Sequence, residues 1–351
     1  MTTLVPLAAT GVGSVPFTDP QETVALILEC MPQLPYWPQM VHLGYREEMT
    51  PQAAGGLSLL QVDPVARLVQ MSPELTREQA LAQFYETVLA GDLAPFALAE
   101  EEARGFYALL AAVAARQMPC AALKGQLSGP VTFAGVVKDP EGKPLLYDRE
   151  VTQALCLGLG RKAGWQAQKF RALGKAAVIF FDEPYLTGFG SAYLPLSRQE
   201  VAEILSQALE AAREFGPVTL GIHCCGNTDW SLLLEAPMDI LSFDSYGYFE
   251  SLRLYEKAVG SFLARGGWLA WGLVPTGNEL EGETADSLWA RFQGQVQQLA
   301  RDQKLEVKQV LSQALLTPAC GMGYLSLEAA RRGLAILSEL SARGRQWLES
   351  Q

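Results

Sequence analysis

In Gly216-Pro217-Val218-Thr219-Leu220-Gly221-Ile222-His223-Cys224-Cys225-Gly226-Asn227 a helix stops, a strand runs, and metal-type side chains follow at once. The helix opens on the capping box Ser197-Arg198-Gln199-Glu200 and runs to Phe215, where Gly216-Pro217 ends it. The apolar run Val218 to His223 then reads as a strand. Residues i and i+2 of a strand point the same way, so His223 and Cys225 leave its end on one side and Cys224 faces the other. A distant third thiol, Cys320, stands in Thr317-Pro318-Ala319-Cys320-Gly321-Met322, after the last apolar run. One imidazole and two thiolates form the mixed donor set that zinc prefers, and three protein ligands leave a position for substrate.

The same alternation of short apolar runs and amphipathic stretches extends along the chain. Candidate strands are Leu7 to Val12, Tyr36 to Val41, Ala121 to Leu127, Ala176 to Phe181, Val218 to His223, Ile240 to Phe243, Trp268 to Trp271 and Leu311 to Leu316. Helical spacing covers Thr23 to Cys30, Glu100 to Arg116, Val151 to Leu173, Tyr248 to Arg265, Thr284 to Gln303 and Leu327 to Glu349. Eight strands separated by helices give the count of a (β/α)8 TIM barrel, an α/β fold, in a single domain spanning 1–351. A doubly wound open sheet is the alternative, but it gathers its site at one switch point. Here Gly13-Ser14, Gln126, Asp182-Glu183, His223, Asp244 and Gly272 close or follow separate runs, as in a barrel. The stretch from about 46 to 98 breaks the pattern and reads as an inserted loop and helix over the mouth, its helix being Arg77 to Leu89. Lys138 to Asp148, rich in Asp, Pro and Gly, reads as a mobile loop.

With 351 residues, 49% of them hydrophobic, the chain can bury a large core. A net charge of −11 argues against a nucleic-acid partner, whose phosphates it would repel. No apolar run approaches a bilayer's width, and Met1-Thr2-Thr3-Leu4-Val5-Pro6 has no basic start, so neither a membrane span nor a signal peptide is expected. Six cysteines are too sparse for a disulfide framework, which points to a reducing cytoplasm.

Around the His-Cys-Cys run stand further candidates. Asp244 follows the run Met238 to Phe243 on the next strand. It reads equally as a fourth ligand that a substrate displaces, a partner that orients His223, or a cap of the next helix. Cys224 faces the helix layer and is not expected to ligate; Cys30, Cys120 and Cys156 read as core. Phe180-Phe181-Asp182-Glu183-Pro184 sets two acids at a strand end, Asp182 to hold a substrate ammonium and Glu183 to shape the mouth; a capped turn is the plain alternative. Gly11-Val12-Gly13-Ser14 permits close approach of backbone N–H groups to a carboxylate. In Lys124-Gly125-Gln126-Leu127-Ser128, Gln126 and Ser128 offer donors to a ligand or decorate a turn. His42 in Met40-Val41-His42-Leu43-Gly44 is a second base or a structural histidine.

Taken together, Gly13-Ser14 with Pro16, Gly129-Pro130-Val131-Thr132, Asp182-Glu183-Pro184, His223-Cys224-Cys225 and Pro318-Ala319-Cys320-Gly321 resemble the zinc-bearing catalytic barrel of cobalamin-independent methionine synthase. That family sits in a wider superfamily with uroporphyrinogen decarboxylase. The pieces follow the family's order over nearly the whole chain. The resemblance implies zinc ligands at His223, Cys225 and Cys320. Asp244 stands where the family has a glutamate. Ser14 matches a contact to the carboxylate of homocysteine, and Asp182 the acid that binds its ammonium. The family's His-Gly-Glu motif is only approximated by His42-Leu43-Gly44-Tyr45-Arg46-Glu47-Glu48-Met49, with Glu47 or Glu48 as the matching acid. A second, N-terminal barrel does not fit in this length. Phe133-Ala134-Gly135-Val136 replaces the family's folate-stacking tryptophan, so single-barrel relatives that take the methyl from a methylcorrinoid match better.

The implied activity is a zinc-dependent (Zn²⁺) transfer of a methyl group to a small-molecule thiol, homocysteine giving methionine, from methylcobalamin, free or on a corrinoid protein. His223-Cys224-Cys225-Gly226-Asn227 also resembles corrinoid:coenzyme M-type thiol methyltransferases. A decarboxylase of porphyrinogen type needs a cationic pocket, and no arginine precedes Arg46.

Overall fold

The computed structural model describes residues 4–116 and 118–351; the opening Met1-Thr2-Thr3, read above for a leader, lies outside them. In chain order the strands are β1 (Leu60–Asp63), β2 (Leu68–Met71), β3 (Ala122–Ser128), β4 (Ala176–Asp182), β5 (Thr219–Cys224), β6 (Ile240–Phe243), β7 (Trp268–Val274) and β8 (Ala314–Pro318). β3 to β8 form one curled, all-parallel sheet in sequence order, flanked by helices. Apart from β3, which carries Lys124, Gln126 and Ser128, their sequences are largely apolar because a parallel sheet with a core on each face is buried on both. One core lies between sheet and helices. The other sits on the inner face, where Ala122, Val178, Phe180, Ile240, Ala270 and Leu315 meet Leu4, Ala8 and Leu34.

The first two expected strands do not form as strands. Leu7 to Val12 lies along the free edge of β8, with Leu7 N–H donating to Ala314, Leu316 N–H to Ala8 and Thr10 N–H to Leu316. Tyr36 to Val41 lies along β3, through Lys124 N–H to Pro35 and Trp37 N–H to Lys124. The two segments join where Val15 N–H donates to Gln39 and Gln39 N–H to Gly13. They stay isolated bridges because Leu7 adopts φ 60°, a kink few side chains accept, and Pro38 has no N–H to give a ladder.

Other boundaries shift for local reasons. Leu311 belongs to the helix Val307–Ser312, whose start is closed by Glu306 and Gln309, so β8 begins only at Ala314. Tyr248 to Arg265 divides into the helices Ser245–Arg253 and Glu256–Ala264. Glu100–Glu102 is a 3-10 turn, and the α-helix starts at Arg104. Within 46–98 the helix Arg77–Leu89 forms as expected on the cap Thr76. The hairpin of β1 and β2 was not expected; its turn is held by Asp63 accepting from Val65 and Ala66 N–H. The segment 138–148 is tied down rather than loose. Lys138 bridges both Gln70 and Pro144, and Asp148 caps the helix Arg149–Ala172 while accepting two hydrogen bonds from Arg77. Among the described residues no helix is long and apolar enough to cross a membrane.

The helices Arg149–Ala172 and Arg198–Arg213 pack closely because Gly160 has no side chain: a Cβ there would lie 2.4 Å from Ala211 Cβ and 2.9 Å from the Ala208 carbonyl oxygen. Gly294, in the helix Ala285–Gln303, faces open space. The same substitution should therefore change stability in opposite directions. Gly160→Ala is expected to destabilise by about 1–3 kcal/mol, and Gly294→Ala to stabilise by about 0.5–1 kcal/mol. Urea midpoints of the two variants check both signs.

Candidate functional site

Strand alternation builds the site. The inward column of β4 runs Val178, Phe180, Asp182; that of β5 runs Thr219, Gly221, His223; that of β6 runs Ile240, Ser242. Each of these columns ends on a polar side chain at the C-terminal end of the sheet. The register sets Asp182 beside His223 and His223 beside Ser242. His223, Cys225 and Cys320 then bring one donor atom each within 4.8 Å of one another, across the ends of β5 and β8.

His223 is buried. Its Nδ1 lies 2.9 Å from Ser242 Oγ, and its Nε2 is buried with no hydrogen-bond partner. A Ser242 hydroxyl accepting from Nδ1–H leaves the Nε2 lone pair free for a cation. The neighbouring Cys320 thiol holds Cys225 below its ordinary value, while Cys225 and burial raise Cys320 and His223 opposes them. The donor chemistry and the orphaned nitrogen both fit a zinc ion. Cys224 stays outside the group: it is buried against the helix layer, its thiol reaches the Gly226 carbonyl, and burial pushes it up to about 12.

Asp244 is not among the gathered donors. Its carboxylate caps the helix Ser245–Arg253, accepting from Gly247 N–H at 2.8 Å. Burial raises its pKa, with the nearby His223 opposing. Asp182 is buried and its Oδ1 has no partner. Burial lifts it to about 6, and Lys124 and His223 hold it from rising more. Glu183 turns away: Oε1 accepts from Val131 N–H (2.9 Å), and Oε2 from Thr132 N–H (2.8 Å) and the Thr132 hydroxyl (2.6 Å). It shapes the mouth by gripping the start of the helix Pro130–Val136. Gln126 is likewise occupied, donating to the Trp37 carbonyl and accepting from Lys124. Ser14 Oγ accepts from Gly323 N–H at 3.3 Å, next to the Cys320 turn. Glu47 is buried against Arg104 with Oε2 unpartnered, and Glu48 pairs with Arg67.

Several residues escaped the sequence reading. Ser242 gave no signal inside an apolar run; only the register with His223 exposes it. Lys124 is fully buried, with Nζ 4.9 Å from the Phe180 ring centroid and bonded to the Val12 carbonyl and Gln126. Burial lowers it to about 7. Thr10 and Thr317 carry buried hydroxyls without partners, as does Ser128, which the sequence did mark as a donor; Ser128 and Thr317 share the inward parity of Ala122 and Leu315.

No protein-family model and no curated protein matches the sequence. Solved structures do match. A B12-independent methionine synthase from Shewanella sp. W3-18-1, in complex with selenomethionine, aligns over 99% of this chain and 100% of its own at 14% identity, TM-score 0.59. A putative vitamin-B12 independent methionine synthase from Listeria monocytogenes aligns over 97% and 98% at 12% identity, TM-score 0.57. A methyltransferase from Methanosarcina mazei aligns over 95% and 94% at 13% identity, TM-score 0.51. At such identities the likeness is one of fold.

Glu183 yields a signed prediction. Burial raises its carboxyl to about 7 despite three hydrogen bonds, against about 4.3 when unfolded. The folded chain thus holds this proton more tightly, and the slope of stability with pH from this group is negative. Its contribution is fullest below about pH 4.3 and is lost as pH rises through about 7. Urea midpoints at pH 5.0 and 7.5 should show a smaller pH difference in Glu183→Gln than in the parent chain.

Proposed function

We propose that this chain is a zinc-dependent methyltransferase that methylates the thiol of homocysteine to give methionine, with a methylcorrinoid, free methylcobalamin or one carried on a corrinoid protein, as donor. The observation that carries the reading is the meeting of His223 Nε2, Cys225 Sγ and Cys320 Sγ within 4.8 Å, with that nitrogen buried and unpartnered. The fold likeness to methionine synthases is compatible with it. We read the sheet and its two bridged segments as an eight-stave barrel, a single domain over 1–351 with 46–98 inserted at the mouth. A cytoplasmic setting suits it, since cysteines must stay reduced to ligate.

Zinc held by His223, Cys225 and Cys320 supplies a Lewis acid that favours the thiolate of a substrate, whose free thiol has a pKa of about 8.5. The rest is the work of side chains. Asp182, with a free buried oxygen, accepts the substrate ammonium. Ser14 and the glycine-rich backbone around it take the carboxylate. Fixing both ends of the amino acid sets the sulfur in line with the donor methyl, and positioning of that kind is worth several kcal/mol, up to about 7–11. Gln126 and Glu183 act from behind, one on Lys124 and Trp37, the other on the helix Pro130–Val136. Asp244 orients the site from its helix cap, and joins the ligands only by releasing Gly247 N–H.

Cys320→Ala should lower zinc content, measured by elemental analysis, and methyl transfer together. Full zinc with full activity would end the reading. Asp182→Asn should raise KM for homocysteine about 10–100-fold, the scale of a lost charged hydrogen bond, and raise it far less for a thiol without the amine. Equal effects on the two thiols would remove the ammonium contact and favour a coenzyme M-type acceptor.

A further inference from the structure

Cys320 sits in a turn, Cys320-Gly321-Met322-Gly323-Tyr324, that reaches solvent at once: Tyr324 is 100% exposed. A metal ligand on such a turn needs anchoring. The anchors come from the opposite end of the chain. Met322 N–H donates to the Ser14 carbonyl at 2.9 Å. Gly323 N–H donates to Ser14 Oγ at 3.3 Å, across 309 positions. The Gly323 carbonyl lies 2.9 Å from His42 Nε2, across 281 positions. A carbonyl only accepts, so His42 must carry its proton on Nε2 and donate it. The approach is close: a Cβ on Gly321 would fall 2.2 Å from Ser14 Oγ, and one on Gly323 2.9 Å from Val41 Cγ2.

We propose that His42 is a positioning residue which, with Ser14, latches the Cys320 turn and so presents the Cys320 sulfur to His223 and Cys225. This rests on the zinc reading for its consequence, but the latch itself is a property of the protein alone. His42 touches none of the three gathered donors directly; it acts through the Gly323 carbonyl. Groups bonded to the ligands themselves typically alter metal affinity about 10–100-fold; His42 is exposed and one step further out, so its effect is smaller. The histidine is needed as an N–H donor, so glutamine, whose amide also donates, should replace it and alanine should not.

The test takes the full-length protein and its His42→Ala, His42→Gln and Gly321→Ala variants through two measurements. Zinc affinity is read by competition with a chromophoric chelator. The rate of Cys320 alkylation by iodoacetamide, in chelator-treated protein, is read site by site by mass spectrometry, with Cys225 in the same digest as comparison. His42→Ala should weaken zinc several-fold and speed Cys320 alkylation several-fold, with the melting temperature little changed; Gly321→Ala, whose Cβ would meet Ser14 Oγ at 2.2 Å, should do the same while lowering the melting temperature. His42→Gln should restore both values. Parental alkylation and zinc affinity in His42→Ala overturn the latch, as does failure of His42→Gln to rescue at an unchanged melting temperature. Should the parent chain bind no zinc, the metal reading fails, and the alkylation rates alone decide the latch.

Discussion

Leaving a buried polar atom without a partner costs about 1–3 kcal/mol, and His223 Nε2 is in that condition. Its other nitrogen already faces Ser242, so the ring cannot turn to relieve Nε2 without losing that contact. The two nearest sulfurs, of Cys225 and Cys320, are soft and their only donor is a thiol S–H. A cation that bonds nitrogen and sulfur satisfies all three atoms at once. On the zinc reading proposed above, that requirement accounts for the histidine at the C-terminal end of the inner column on β5, and for the serine that is its register neighbour on β6.

The requirement also explains the fold's long-range order. Cys320 comes from the far end of the sheet from β3, and it reaches His223 only because the sheet curls. Curling leaves the edges of β3 and β8 facing each other, and the segments around Ala9 and Tyr36 cover them. Those segments deliver Ser14 and His42 to the turn that carries Cys320. Edge coverage and the hold on the Cys320 turn thus rest on the same segments.

Much of this was legible before the structure. Alternation within Gly221 to Cys225 placed His223 and Cys225 together and turned Cys224 away, because period 2 is a local property. The pairing with Cys320 was legible only from residue chemistry, since no local rule joins positions so far apart. The first two strands were overcalled: Leu7 to Val12 and Tyr36 to Val41 have the right apolar content, but a positive φ at Leu7 and a proline at 38 act on the backbone, which hydrophobicity does not report. Asp244 was left open between ligand and cap, and Gly247 N–H takes it as a cap. Ser242 has no signature because it is a lone polar residue in an apolar run, and Lys124 stands among other polar residues of β3 with nothing in the sequence to say that it is buried. The hairpin of β1 and β2 was hidden in a stretch set aside as an insertion, though Leu60-Gln61-Val62-Asp63 and Leu68-Val69-Gln70-Met71 alternate as strands do.

The electrostatics of the interior bear on which ligand charge the inner end of the sheet accepts. Lys124 is the cation buried nearest to Asp182 in effect, yet its Nζ is spent on Val12 and Gln126. No salt bridge joins the two among the described residues. Asp182 therefore keeps an oxygen free while Lys124 and His223 favour its charged form. With a pKa of about 6 it is mostly a carboxylate at neutral pH. A substrate ammonium brought to that oxygen offsets the cost of burying the charge. A thiol that carried an anion at the same place would add a like charge in a dry site and drive Asp182 to take up a proton. On the methyltransferase reading proposed above, the free oxygen of Asp182 suits an amino-thiol acceptor, and it does so without reference to the metal.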